Sequence, residues 1–297
     1  MSVSGRVLRG DRGGDTIPLA HAWVVLHKVT RETGGPVDSV RSDARGRYRI
    51  ELRNPDSNSV YVVSAWYDSL AYFSLPLNVT GRPAVHVEDI VTFLTSVNGP
   101  PIRLARRLAT VAAAREDGTR EILELLELEN MGRTTRIAKD TLPTWAGRVP
   151  EGAGQFRGGQ GDISPEAIVF RNDSVLVLGP IPPGPVKQLS YSYALPAGTR
   201  ALVIPIDQPT VELNLLVEDT AAVVTAPKLE SLGVQELEQR RFAAYRAGPL
   251  APGDRVEIQV PATGFRAQTL LPYVIAVLAA GMVVALVWAL RKRPSPA

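Results

Sequence analysis

Few side chains in this sequence could carry chemistry. It has three histidines, His21, His27 and His86, and no cysteine. His21 and His27 have even spacing and would share one face of a straight strand. At about 3.3 Å per residue they would stand roughly 20 Å apart, too far to share a metal ion. A metal site would need His86 and carboxylates folded towards one of them, and no HExxH-type spacing supports that. Because every histidine lies in the first third, a Ser–His–Asp triad built within the rest is ruled out, and no G-x-S-x-G elbow occurs. Gly158-Gly159-Gln160-Gly161-Asp162 lacks the Gly-Lys-Ser/Thr of a phosphate loop and reads as a surface loop. Asp11, Asp15, Asp38 and Asp43 lack the alternating ligand spacing of a calcium loop and read as turn-formers. The expectation is a protein that is not an enzyme, with no catalytic, cofactor-binding or metal-ligating residue.

Charge excludes another class. Net charge is +3 and acidic residues interleave with basic ones. A nucleic-acid reader clusters its cations on a face or stripe, and only Arg291-Lys292-Arg293 forms a basic block longer than two residues. No nucleic-acid partner is expected. The sequons Asn78-Val79-Thr80 and Asn172-Asp173-Ser174 are too common a pattern to decide compartment.

The elements that would position any site are β-strands. The chain has 25 glycines and 24 prolines, recurring as punctuation between short apolar runs, the pattern of β-sandwiches. Residues 1–94 form a first unit, with strands expected at Gly5–Leu8, Ala22–Lys28, Arg47–Leu52, Val60–Tyr67, Leu70–Ser74 and Val85–Val91. Asp43-Ala44-Arg45-Gly46 supplies a turn with Gly46 at positive φ. Residues 95–101 read as a linker. Residues 102–265 form a second β-sandwich-type unit, in which Glu116-Asp117-Gly118-Thr119 joins Leu108–Ala114 to Arg120–Leu128 as a hairpin. Ile122–Leu128 is made mostly of helix formers, but its surroundings favour a strand. Further strands are expected at Ala167–Phe170, Ser174–Leu178, Val186–Tyr193, Ala201–Pro205, Val211–Val217, Ala222–Val224 and Val256–Val260. Leu232–Ala244 is open between a short helix and an irregular strand pair.

Residues 270–290 read LLPYVIAVLAAGMVVALVWAL, without a charge. As a helix they span roughly 31 Å at about 1.5 Å per residue, the hydrocarbon thickness of a bilayer. Tyr273 and Trp288 sit where interfacial rings belong, and Arg291, Lys292 and Arg293 prefer headgroups. Gly281, Ala285 and Ala289, with Ala276 and Ala280, recur every fourth residue and would let another helix approach closely. The positive-inside rule places residues 291–297 in the cytoplasm and the body outside. Met1-Ser2-Val3 is no signal peptide. The preferred reading is that a signal precedes this numbering; the other is a tail-anchored body in the cytoplasm.

Gly5-Arg6-Val7, Pro18-Leu19-Ala20-His21-Ala22-Trp23-Val24 and Ser42-Asp43-Ala44-Arg45-Gly46-Arg47-Tyr48 occur in that order. With these three segments the first unit resembles the carboxypeptidase regulatory-like domain, a transthyretin-like β-sandwich. The resemblance implies a folding and interaction module, since in that family the peptidase chemistry sits in a separate zinc domain, which nothing here resembles.

The expected architecture is therefore mainly β: two β-sandwich domains followed by one C-terminal transmembrane helix, in a bacterial inner membrane. By plan alone it looks like accessory subunits of respiratory or photosynthetic complexes. Aromatic residues on strands are expected in the core, leaving Trp145 and Phe156, in loop-like stretches, as candidate docking residues. The expected partners are the bilayer and other membrane-protein subunits. The alternative is a free-standing envelope module for carbohydrate or peptide, which would show an exposed aromatic or acidic groove.

Overall fold

The computed structural model describes residues 1–10, 14–30, 32–56, 58–79 and 81–261. The chain is mainly β, and among the described residues the single helical turn is 3-10, at Pro165–Ala167. No helix among them is long and apolar enough to cross a membrane. The expected span at 270–290, with Tyr273, Ala276, Ala280, Gly281, Ala285, Trp288, Ala289, Arg291, Lys292 and Arg293, lies outside the described residues.

The first nine strands are β1 (Ser2–Gly10), β2 (Thr16–Pro18), β3 (Trp23–Val29), β4 (Gly34–Arg41), β5 (Arg47–Glu51), β6 (Val60–Tyr67), β7 (Leu70–Phe73), β8 (Ala84–His86) and β9 (Ile90–Thr92). β1 pairs antiparallel with β5 and then β2, and parallel with β8 and then β9. A second sheet has the order β4-β3-β6-β7. Side chains alternate across a strand, so Val24 and Leu26 of β3 and Tyr61, Val63 and Ala65 of β6 meet Val3, Val7, Tyr48 and Ile50 in one core. The Asp43–Gly46 turn forms as expected: Gly46 has φ 73°, and its N–H donates to Asp43 O. A side chain at Gly46 would also strike Val7 O at 2.4 Å, so the position needs glycine twice over.

The segment expected as a linker is tied down. β10 (Thr95–Ser96) pairs in parallel with β13 (Thr135–Arg136), flanking β11 (Arg103–Val111) and β12 (Arg120–Glu129) in the chain. The Tyr72 hydroxyl lies 2.8 Å from both Phe93 O and Thr135 Oγ1, joining the two units.

The remaining strands are β14 (Trp145–Arg148), β15 (Gly154–Gly158), β16 (Ile168–Arg171), β17 (Ser174–Val177), β18 (Lys187–Leu195), β19 (Ala201–Pro205), β20 (Thr210–Val217), β21 (Val223–Thr225), β22 (Glu230–Leu237), β23 (Arg240–Ala247) and β24 (Arg255–Gln259). Seven of the second unit's strands form one sheet, β15-β18-β12-β11-β20-β23-β22. Two three-stranded sheets, β14-β17-β16 and β19-β24-β21, contribute Val175, Val177, Ile204, Val256 and Ile258 to a core shared with Ile122, Leu126, Leu213 and Leu215. Ile122–Leu128 is a strand despite its helix propensity, because pairing on both sides overrides a preference of tenths of a kcal/mol per residue. Leu232–Ala244 resolves as the β22–β23 hairpin.

Candidate functional site

The β4-β3-β6-β7 sheet buries one face against the core and leaves the other open at its ends, with Val25 (7% exposed) and Ser64 (0%) covered in its middle. On β3 the outward residues are Trp23, Val25, His27 and Val29; opposite them on β6 stand Trp66, Ser64, Val62 and Val60. Trp23 and Trp66 pair directly across the strands, 43% and 48% exposed. Directly opposed side chains have Cβ atoms about 4.5–5.5 Å apart, so the two indoles form one aromatic platform. Phe73 of β7, 62% exposed, extends the apolar face, and its ring lies 5.9 Å from that of His27.

At the Trp end, an open cleft of about 400 Å³ lies between the loop Leu19–Ala22 and the β6–β7 turn, lined by both indoles, Arg41, Tyr67, Asp68 and Ser69. Its volume falls within the roughly 300–1,000 Å³ usual for small-ligand sites. Both rims are braced. Buried Ser42 donates through Oγ to Leu19 O (2.7 Å) and accepts from Ala22 N–H (2.9 Å), while His21 N–H donates to Ser42 O. His21 takes φ 58° there, and Asp68 and Ser69 have φ 47° and 66° in their two-residue turn. The left-handed region is uncommon for residues other than glycine, and here it turns both loops up around the platform. On the far rim, Asp68 Oδ2 accepts from Thr95 N–H (2.6 Å) and Thr95 Oγ1 (2.8 Å).

Arg41 is the cleft's cation. Its guanidinium carbon lies 4.8 Å from the centre of the Trp23 ring, and Nη1 donates to His21 O at 2.8 Å. Such stacking is worth about 0.5–1 kcal/mol at an exposed site and fixes the guanidinium plane over the indole.

The sequence placed its docking candidates elsewhere, and the structure corrects it. Trp145 is 5% exposed, in the second unit's core, where β14 pairs with β17. Phe156, on β15, packs against that core and stacks on Phe170 at 5.2 Å. Trp145 is therefore closed off, while Phe156 is half-buried. Aromatics assumed to be core, Trp23, Trp66 and Phe73, are the exposed ones. The glycine-rich segment serves packing: side chains at Gly159 and Gly161 would strike Ser190 Oγ at 2.2 Å and Gln188 O at 2.6 Å.

Sequence reasoning also missed a buried polar network in the second unit. Arg107 Nε and Nη2 donate to Glu124 Oε2 and Oε1 at 2.7 and 2.9 Å, and Nη1 donates to Pro205 O. The Tyr193 hydroxyl donates to Glu124 Oε1 at 2.9 Å. Arg107 and Glu124 are 4% and 0% exposed. Burial alone would lower the Arg107 pKa, but the Glu124 carboxylate outweighs it and the net shift is upward. Burial, with the Glu124 charge beside it, raises both Tyr191 and Tyr193. The adjoining cavity, about 10 Å³, has room for about one water. No cluster of three or more His, Cys, Asp or Glu able to hold a metal occurs among the described residues.

No protein-family model matches this chain, and no curated protein sequence does either. Among solved structures it is similar to an M1 zinc metallopeptidase from Deinococcus radiodurans, at 11% identity and TM-score 0.35, over 55% of this chain and 43% of that one. It is also similar to the major pilin SpaA of Corynebacterium diphtheriae, at 12% identity and TM-score 0.23, over 87% and 84% of the two chains. The chain thus spans less than half of the metallopeptidase's length. Overlaps that loose fix neither a fold family nor a function.

Proposed function

We propose that this is a non-catalytic recognition protein of a bacterial cell envelope, anchored by a helix at 270–290, whose first unit binds its ligand in the Trp23–Trp66 cleft. The observation that carries this reading is the paired, half-exposed indoles on a braced cleft, the exposed aromatic groove expected of an envelope binding module. Two sandwich-like units with the first resembling a carboxypeptidase regulatory-like domain, an interaction module, are consistent with it. The layout supports it too. The first unit joins at the Thr95–Thr135 end of the second, whereas the described chain leaves from the opposite end, where Val260 N–H bonds Arg200 O. Nine-residue β11 runs between those ends, about 30 Å at 3.3 Å per residue. The second unit would then act as a spacer holding the cleft away from the bilayer.

A second reading, an accessory subunit docked on a larger membrane complex such as a respiratory or photosynthetic assembly, draws on the apolar strip of Val29, Val60 and Phe73 beyond the cleft. Isolation from native membranes in mild detergent separates the two. Migration alone with an intact cleft fits the recognition protein. Constant co-migration with other subunits, lost on Phe73→Asp but kept on Trp66→Ala, replaces it with the docked subunit.

A further inference from the structure

We propose that the Trp23–Trp66 cleft binds a saccharide bearing a carboxylate, its ring stacked on Trp66 and its acid group paired with Arg41 where that guanidinium lies over Trp23. This rests on the reading of the cleft as the recognition site and names its ligand class.

Shape comes first. Trp23 and Trp66 lie on β3 and β6, the two inner strands of the order β4-β3-β6-β7. Their backbone N–H and C=O groups are already paired on both sides, so a peptide cannot add there as a strand, the commonest backbone-directed mode on a sheet. What the platform offers is two half-exposed indoles, with Arg41 already over one face of the Trp23 ring and Trp66 beside it. The C–H-bearing face of a pyranose is flat, apolar and slightly positive, which complements the negative face of an aromatic ring. The rim adds residues suited to hydroxyls, Ser69 on one side and His21 on the other.

Charge then narrows the sugar. The charged residues lining the cleft are Arg41 and Asp68. Asp68 Oδ2 is occupied by two hydrogen bonds from Thr95. Arg41 makes no salt bridge among the described residues; it spends Nη1 on His21 O and rests on Trp23. Its remaining N–H edge is oriented by the stack but has no anion. A planar guanidinium fixed in this way matches a carboxylate, and such charge-assisted bonds are about twice as strong as neutral ones. A uronic acid supplies both the ring and the carboxylate.

The test uses the full chain in a detergent without a sugar headgroup. A uronic-acid trisaccharide and its carboxyl-reduced neutral counterpart are titrated at low salt, followed by tryptophan fluorescence and calorimetry. Both should bind, the acidic sugar about tenfold tighter, the equivalent of one charge-assisted bond. Trp66→Ala should weaken both by about tenfold or more. Arg41→Gln should bring the two affinities together, the acidic sugar losing about tenfold relative to the neutral one. Circular dichroism checks each variant, and Arg41→Gln still decides the charge claim if Trp66→Ala misfolds. Equal affinity for the two sugars overturns the carboxylate assignment and leaves the cleft a sugar site. Failure of both sugars, with an acidic or proline-rich peptide binding in a Trp66-dependent way, overturns the ligand class but keeps the recognition reading. If neither sugar nor peptide binds, both fall.

Discussion

Arg41 and Arg107 use the same ingredients, a guanidinium, aromatic rings and backbone carbonyls, in opposite environments. Arg41 stacks on Trp23 at the surface of the first unit, without a carboxylate. Arg107 is shut into the second unit's core with a bidentate Glu124, whose Oε1 also accepts from Tyr193. Buried charge must be matched where it stands, so the second unit spends every partner internally. Exposed charge is solvated at little cost, so the first unit can keep a cation and two half-exposed indoles at its surface.

The largest effect should come from unmatching the buried pair. Glu124→Gln leaves Arg107 charged in the core, and urea unfolding should show a loss of about 3–5 kcal/mol. An Arg107→Met/Glu124→Leu double variant should recover most of it. A single variant losing less than about 1 kcal/mol would mean that the network is not buried as described. Tyr193→Phe removes one hydrogen bond to a carboxylate and should cost about 1.5–3 kcal/mol.

Acid should act on the first unit through two groups. Burial holds the His27 imidazole below its ordinary 6.5, so its contribution is present above that value and is lost as pH falls through the lowered pKa. Asp56 is held down to about 2 by the Lys28 ammonium, the Asn58 N–H and the Ser59 hydroxyl. Its contribution is complete above about pH 4 and fades towards 2. Thermal melting against pH should show both losses, with Asp56→Asn flattening the lower one. A melt independent of pH between 6.5 and 2 would contradict the geometry around both groups. The smallest effect on stability belongs to the cleft. Trp66→Ala and Arg41→Gln should stay within about 1 kcal/mol of the parent in urea, however strongly they alter binding.

Much of the architecture was legible before any coordinates. Ser174-Val175-Leu176-Val177, the Asp43–Gly46 turn and the Glu116–Thr119 hairpin each carry their own local signal, and each forms where it was expected. β4 was not read, because Gly34, Gly35 and Pro36 mask a strand that pairing with β3 enforces. The cleft was missed for a parity reason. Trp23-Val24-Val25-Leu26 is apolar throughout, so nothing in the run says which residues face the core. Glu124 was findable: it shares its parity on β12 with Ile122, Leu126 and Leu128. Its partner was not, because a bulge between Leu104 and Arg106 resets the register that turns Arg107 inward.

The sequence by itself determined that the chain is a series of short strands, because glycine, proline and β-branched residues act on their own neighbours. It also shows that the chain has no cysteine and no HExxH-type spacing among its three histidines. Which face of each strand met water was decided only in three dimensions. Burial depends on what packs from the opposite sheet, and that partner lies tens of residues away along the chain. Tertiary packing therefore put Trp145 in the core and left Trp23 and Trp66 outside.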